Sequence, residues 1–390
     1  MKKIAFVNQR YGLEVNGGSE YYTRLMAERL ADKFEVEVLT TKALDYNTWK
    51  NHYTNDTEVI NGVLVRRFNT DRQRDKKFVT FTSRYLSMLK RGRGDLSREK
   101  EWFYRQGPVS SEFIDFIKTH KDEYDVFIFV TYLYYLTVEG LPEVKEKAIL
   151  IPTAHKEPYI YFKYFKEFFK MPAGFIFLTD EEKDLVHRLF ANENIRHDVM
   201  GTGIDIPSKT DPKDFCRRHG TENYIIYVGR IDEGKNCPQL FDYFREYKKR
   251  NQNDLKLILM GKPVCRIPDD KDIISLGFVS EEEKFEGISG AQMLVLPSRY
   301  ESLSISVLEA MALNIPVLVN GRCDVLKGHC IKSNGGLYYK NYFEFEGCLN
   351  FMLKERQKMD IMRENAGKYI EDNYRWDDII KRFEKFVDSI

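Results

Sequence analysis

The segment from Met293 to Val319 constrains the fold of this chain more than any other stretch. Met293-Leu294-Val295-Leu296 is a four-residue apolar run, the length of a short buried strand, and Pro297-Ser298 stops it. From Ser304 onward Ile305, Leu308, Met311 and Ala312 recur at spacings of three and four, which predicts a helix with one face against a sheet. Asn314 and Pro316 end that helix, and Ile315 to Val319 reads as a second buried strand. Two buried strands joined through a helix run parallel, with a right-handed crossover. A chain of 390 residues is long enough for two α/β domains of ordinary size built from such units.

Two carboxylates sit inside this unit. Glu301 lies in the loop ahead of the helix, and Glu309 comes eight positions later, roughly 12 Å along the axis at about 1.5 Å per residue. Between them fall the free N–H groups of the first turn, around Ser302, Leu303 and Ser304, where a phosphate can be held. Acceptors on either side of an anion site suit a ligand with hydroxyls flanking a phosphate, and a sugar nucleotide has that shape. Solvated helix glutamates are the plainer reading of such a pair. Glu309 departs from it because Val307, Leu308, Ala310 and Met311 surround it.

The pattern Pro297-Ser298-x-x-Glu301, seven residues, Glu309-Ala310-Met311-Ala312, then Pro316-Val317, resembles the E-x7-E motif of retaining glycosyltransferases of family 4. Those are two-domain enzymes with the fold called GT-B. The chain departs from many of them at Ser302-Leu303-Ser304, where they carry Gly-Phe-Gly, and the Ser304 side chain narrows a spot where backbone approaches the donor sugar. The resemblance implies an α/β fold of two Rossmann-like, doubly wound parallel-sheet domains facing a cleft. Residues 1–205, completed by a terminal helix at 374–390, would form the acceptor side, and residues 206–373 would hold the donor.

Strands are expected at Ile4–Val7, Glu35–Thr40, Val63–Phe68, Asp125–Val130, Ala148–Ile151 and Gly174–Leu178 in the first half. The loop Asn8 to Gly18 leads into a helix carrying Tyr22, Leu25, Met26 and Leu30 on one face. Gly17-Gly18 permits close backbone approach by a ligand, and it resembles the family's G-G-x-E loop, which faces donor phosphates and acceptor. No G-x-G-x-x-G follows the first strand and no G-x4-G-K-[ST] occurs, which argues against dinucleotide oxidoreductases and P-loop enzymes. His155 follows the strand ending at Ile151, at the edge where parallel sheets bind ligands; its position matches the family histidine that contacts the transferred sugar.

In the second half, Gly201 to Glu222 reads as a linker, and Tyr224 to Arg230 as a strand ending in Gly229-Arg230. Arg230 and Lys235, five apart and just ahead of a helix, can face one anion. The pattern Y-V-G-R-x4-K-N resembles the family's diphosphate-binding pair. Further strands are expected at Leu255–Met260 and Ile273–Leu276, and the family's nucleobase packs near the loop corresponding to Gly277-Phe278-Val279.

A net charge of +1 with 31% charged residues gives no global pull toward nucleic acid or membrane. Locally, Arg66 to Lys100 holds twelve basic residues against four acidic ones. Tyr159 to Lys170 reads as an amphipathic helix with Lys163, Lys166 and Lys170 on one face and aromatics elsewhere. Both could meet an anionic membrane or a phosphate-bearing lipid acceptor; a partly buried helix with a solvated lysine stripe is the alternative for the second. Nucleic acid is not an expected partner, because no aromatic-studded sheet or recognised module accompanies the basic patch. No apolar run approaches the roughly 18 residues that span a bilayer, and Ile4 to Val7 is too short for a signal-peptide core. The expectation is a cytoplasmic protein, peripheral at the inner face of the membrane. All six cysteines fall in the second half without C-x-x-C spacing and are expected to be reduced, with His329-Cys330 and Cys323 as the one metal alternative.

The resulting expectation is a retaining hexosyltransferase that needs neither metal nor cofactor. It would move sugar from a nucleoside-diphosphate sugar, UDP-sugar first and GDP-mannose next, to a glycan or lipid-linked hydroxyl in cell-surface polysaccharide or glycoconjugate synthesis. The resemblance places Arg230 and Lys235 on the diphosphate, Gly229 and the Ser302-Leu303-Ser304 backbone nearby, Glu309 on ribose, and Glu301 on sugar hydroxyls. Phe278 and Val279 would line the base, with His155, Gly17 and Gly18 opposite. A sugar-nucleotide epimerase of the same fold and a catalytically silent sugar-nucleotide-binding partner are the rivals.

Overall fold

The computed structural model describes residues 1–15 and 17–390; Asn16, in the expected glycine loop, lies outside the described residues. The chain divides into two compact units, residues 1–202 with 377–390, and residues 203–376.

The first unit is built on an eight-stranded sheet. In chain order its strands are β1 (Lys3–Val7), β2 (Glu35–Thr41), β3 (Thr57–Ile60), β4 (Val63–Phe68), β5 (Val126–Val130), β6 (Ala148–Ile151), β7 (Gly174–Phe177) and β8 (Arg196–Val199). Their spatial order is β3-β4-β2-β1-β5-β6-β7-β8. Val126–Val130 is buried at every position, as a parallel strand covered by helices on both faces must be. The pair β3 and β4 runs antiparallel at one edge, turned by Asn61 and Gly62, both at positive φ, the hairpin chemistry that an Asn-Gly pair supplies.

The segment from Tyr159 to Lys170 is not the amphipathic helix its lysine spacing suggests. Pro158–Tyr161 is a 3-10 turn and Phe165–Phe168 a single helical turn. Ile160, Phe162, Phe165, Phe168 and Phe169 are all buried in one aromatic cluster with Trp102 and Phe103. So much ring area exceeds what one helical stripe can bury, and each large side chain is worth about 1.5–3 kcal/mol out of water; the backbone bends to bury them all. Glu99, fully buried, fixes the bend by accepting from the N–H groups of Lys163 and Tyr164 at 3.0 and 2.8 Å. The basic stretch is also smaller than its count. Arg66 pairs with Glu37, and Arg67 is buried against Glu58 and the Tyr53 ring. The terminal helix Trp376–Val387 buries Ile379, Phe383, Phe386 and Val387 in this unit, with Phe383 stacked 6.2 Å from Phe6.

The second unit carries six parallel strands: β9 (Tyr224–Val228), β10 (Lys256–Met260), β11 (Ile273–Gly277), β12 (Leu294–Leu296), β13 (Val317–Asn320) and β14 (Gly336–Tyr339), in the order β11-β10-β9-β12-β13-β14. This is the doubly wound order whose direction reverses between β9 and β12, the place where open α/β sheets bind ligands beyond the strands' carboxyl ends. The expected linker holds a helix, Pro212–His219, with Phe215 buried on the sheet. Among the described residues no helix is long and apolar enough to cross a membrane.

Backbone stitching defines that ligand-facing edge. The Gly229 N–H donates to the Met260 carbonyl at 2.9 Å, and the Gly261 N–H to the Gly277 carbonyl at 2.7 Å. Gly261 has φ 140°, and a Cβ there would stand 1.9 Å from the Gly229 carbonyl oxygen. Gly261→Ala is therefore expected to destabilise the protein by about 1–3 kcal/mol, read as a lower denaturant midpoint; an unchanged midpoint would show that the edge can relax.

Candidate functional site

The loop after β9 gathers three of the expected residues. The Arg230 guanidinium donates to the Asp232 carboxylate. Asp232 Oδ1 accepts the Lys235 backbone N–H at 2.7 Å, and Lys235 Nζ donates to Glu301 Oε1 at 2.6 Å. Arg230, Lys235 and Glu301 thus form one network, joined by Asp232. Sequence reasoning missed Asp232, although an Asp three residues before the N–H it caps is the signature of a local side-chain turn. Arg230 remains about half exposed and Lys235 about a third, so both cations can turn to an incoming anion. Asn236 and Asn320 both donate to the Pro297 carbonyl, at 3.1 and 2.9 Å, which ties the loops after β9, β12 and β13 together.

Beside this network begins the helix Ile305–Ala312. No side chain caps it and no acid occupies its first turn, so its positive end is left for a ligand. Its N-cap is Ser304 at φ 69°, a left-handed conformation that favours glycine, where the resembled enzymes carry glycine; here the chain accepts strain of about 1–2 kcal/mol. Phe278, 70% exposed at the end of β11, stands out from the fold with half-buried Val279 beside it.

Glu309 does not join the Arg230–Lys235–Glu301 network. It is buried, and its Oε1 accepts from Lys284 Nζ at 2.8 Å. Burial raises the pKa of Glu309; at Lys284 burial opposes the charge, but the attraction of Glu309 and Glu281 outweighs it and holds the ammonium. Lys284, in the charged run Glu281 to Glu286, gave no signal in sequence.

His329 supports the loop from behind. Its Nε2–H donates to the Leu303 carbonyl at 2.8 Å and its Nδ1 accepts from the Tyr369 hydroxyl at 3.1 Å; a carbonyl can only accept, which fixes this tautomer. Both ring nitrogens are used, so the metal alternative with Cys323 and Cys330 is set aside. Among the described residues no group of three or more His, Cys, Asp or Glu side chains could hold a metal ion. Burial pushes His329 down to about 4. Because its folded value lies below the unfolded 6.5, stability is expected to fall by roughly 3 kcal/mol as pH drops from 6.5 toward 4. Denaturant titrations of His329→Gln should lack that part of the slope; an identical slope would exclude His329 as its source.

In the first unit, Gly17 is demanded by packing: a Cβ there would lie 2.0 Å from Glu20 Oε2, and Glu20 is fixed by Arg10 and Gln9. Among the described residues a Cβ at Gly18 would meet nothing within 4 Å. His155 follows β6 with Nδ1 3.6 Å from Glu157, whose carboxylate accepts from the Tyr132 hydroxyl at 2.8 Å. The same turn is held by Glu182, which accepts from the Ala154 and Leu178 N–H groups at 2.5 and 2.7 Å.

Residues 209–369 match the family described as glycosyl transferases group 1. Over 173 residues the chain is 27% identical to an uncharacterized glycosyltransferase of Methanocaldococcus jannaschii, a match covering 41% of this chain and 43% of that protein. Over 169 residues it is 28% identical to the alpha-D-kanosaminyltransferase of Streptomyces kanamyceticus, covering 38% and 43%. The chain thus spans less than half the length of each of these curated relatives. In overall structure it is similar to a sucrose-phosphate synthase from Thermosynechococcus elongatus, with a TM-score of 0.72 at 15% identity over 100% of this chain and 99% of that one. It is similar also to the Anabaena protein HepE in complex with UDP and glucose, with a TM-score of 0.70 at 13% identity over the whole of both chains. At these identities the structural likeness is one of fold. The chain has the GT-B fold, and its residues 209–369 are similar to the group 1 glycosyl transferases.

Proposed function

We propose that the protein is a retaining glycosyltransferase that moves a sugar from a nucleoside-diphosphate sugar to a hydroxyl. The observation that carries this is the linked set Arg230, Asp232, Lys235 and Glu301 at the point where the second sheet reverses direction, beside an uncapped helix end. In the proposed assignment, Arg230, Lys235 and the backbone around Gly229 and Ser302 to Ser304 take the diphosphate. Lys235 then releases Glu301 to the hydroxyls of the sugar. Glu309 takes ribose, and Phe278 and Val279 border the base. His155, Gly17 and Gly18 are assigned to the transferred sugar and acceptor. UDP-sugar is the first donor to test and GDP-mannose the next, since the similar HepE structure holds UDP and glucose.

In the proposed reaction the bond between the anomeric carbon and the phosphate oxygen breaks. The acceptor oxygen bonds to that carbon on the same face, and its proton passes to the departing phosphate. Such a route needs orientation and charge stabilisation more than a protein nucleophile, and two cations with a helix end supply both; no metal or cofactor is assigned. A glycan or lipid-linked acceptor is proposed, met at the inner face of a membrane through the exposed cations Lys76, Lys77, Lys90, Arg91, Arg93 and Lys100. Arg66 and Arg67 are left out because Glu37 and Glu58 occupy them.

Lys235→Ala is expected to lower kcat by about 100-fold or more with little change in melting temperature; normal turnover would remove the assignment. A silent binding partner would bind donor without transfer, and an epimerase would convert donor without acceptor. Sedimentation with phosphatidylglycerol vesicles is expected for the wild type and to be lost in the triple variant Lys90→Glu, Arg91→Glu, Arg93→Glu; equal sedimentation of both would exclude this face as the contact.

A further inference from the structure

Glu309 is only 5% exposed, yet its carboxylate is engaged on one side alone. Oε1 accepts from Lys284 at 2.8 Å, whereas among the described residues Oε2 accepts no hydrogen bond. Oε2 is not among the side-chain oxygens sealed from solvent without a partner, so it stands open to an incoming hydroxyl donor.

Lys284 belongs to the helix Glu281–Ser289, which starts directly after Phe278 and Val279 and is capped by Ser280. Its ammonium is little exposed, meets Glu281 Oε2 at 2.7 Å as well as Glu309, and lies 4.4 Å from the Phe285 ring centroid. It therefore links the element behind the expected base loop to the helix behind the expected phosphate loop. Replacing one partner of such a buried pair leaves the other uncompensated, and a lone buried carboxyl takes up a proton. Protonation would turn an acceptor-only group into one that also donates.

We propose that Lys284 is a positioning residue for nucleotide recognition, keeping Glu309 charged and turned so that Oε2 is free to accept from a ribose hydroxyl. This rests on the reading of the site given above. Of the charged groups around Glu309, Lys284 favours its ionised form and Glu281 opposes it. Removing Lys284 therefore raises the pH at which Glu309 protonates, and ribose-dependent binding is lost from the acid side upward.

The test is binding of UDP, GDP and ADP by calorimetry to the full chain, for wild type, Lys284→Met, Lys284→Gln, Lys284→Arg, Glu309→Gln and the double variant Lys284→Met/Glu309→Gln. For the diphosphate that binds wild type, Lys284→Met and Lys284→Gln are expected to weaken binding about tenfold at neutral pH, more at about pH 6 and less at about pH 8.5. Lys284→Arg should bind within about twofold of wild type, and the double variant no worse than Glu309→Gln alone. Lys284→Gln keeps a polar side chain and serves if the methionine variant does not fold. Wild-type binding with an unchanged Kd and pH profile in the neutral variants overturns this inference alone, as do losses that multiply in the double variant. Absence of any diphosphate binding by wild type overturns the parent reading, and this inference with it.

Discussion

A carboxylate taken out of water has to be met by a cation or by backbone N–H groups, and this chain buries many of them. Glu20, Glu37, Glu99, Glu182 and Glu309 are all nearly inaccessible. Left alone, each would cost several kcal/mol or give up its charge. None is left alone. Glu37 meets Arg66, Lys3 and the Tyr124 hydroxyl; Glu99 and Glu182 meet pairs of backbone N–H groups; Glu20 meets Arg10. Two of these acids hold turns at the carboxyl ends of strands: Glu20 steadies the turn after β1, and Glu182 the turn that carries His155.

The second unit follows the same logic with a different outcome. Around Lys235 the acids Asp232 and Glu301 are little exposed, but the cations Arg230 and Lys235 keep solvent access. The Lys235–Glu301 pair is therefore a contact that a more highly charged ligand can exchange. The Lys284–Glu309 pair, with both side chains little exposed, is a fixture. The geometry thus separates groups that can move to an anion from a group that waits in place, while the asparagine contacts to Pro297 keep the loops beneath them still. Catalysis that relies on preorganised charge needs that division, because groups that must reorganise at the moment of reaction stabilise little.

Arg230, Lys235 and Glu301 were legible because each ends or follows a buried apolar strand at fixed spacing, and parallel topology brings such ends to one edge. Glu309 was legible as buried from its apolar neighbours, but its partner was not. Lys284 stands 25 residues upstream in a charged helix, and nothing local distinguishes it from the solvated charges beside it. The strands β8, with alternating charge, and β14, hidden behind Gly335 and Gly336, lacked the apolar run that revealed their neighbours. At Tyr159 to Lys170 the lysine spacing was real but subordinate, since burying five large apolar side chains outweighs the helical register they would have broken.

Gly17 and Gly18 show where residue type alone stops being informative. Adjacent glycines in a loop ahead of a helix invite the reading that a ligand needs bare backbone. Gly17 is bare because the chain's own Glu20 carboxylate occupies the space of its Cβ, so its glycine is an internal steric requirement. Among the described residues nothing lies within 4 Å of a Cβ built at Gly18. An alanine at Gly17 must displace a carboxylate that Arg10 and Gln9 hold, so it would disturb the loop whether or not anything binds. An alanine at Gly18 meets none of the described residues, which makes Gly18, of the two, the position where a functional cost would report on a ligand.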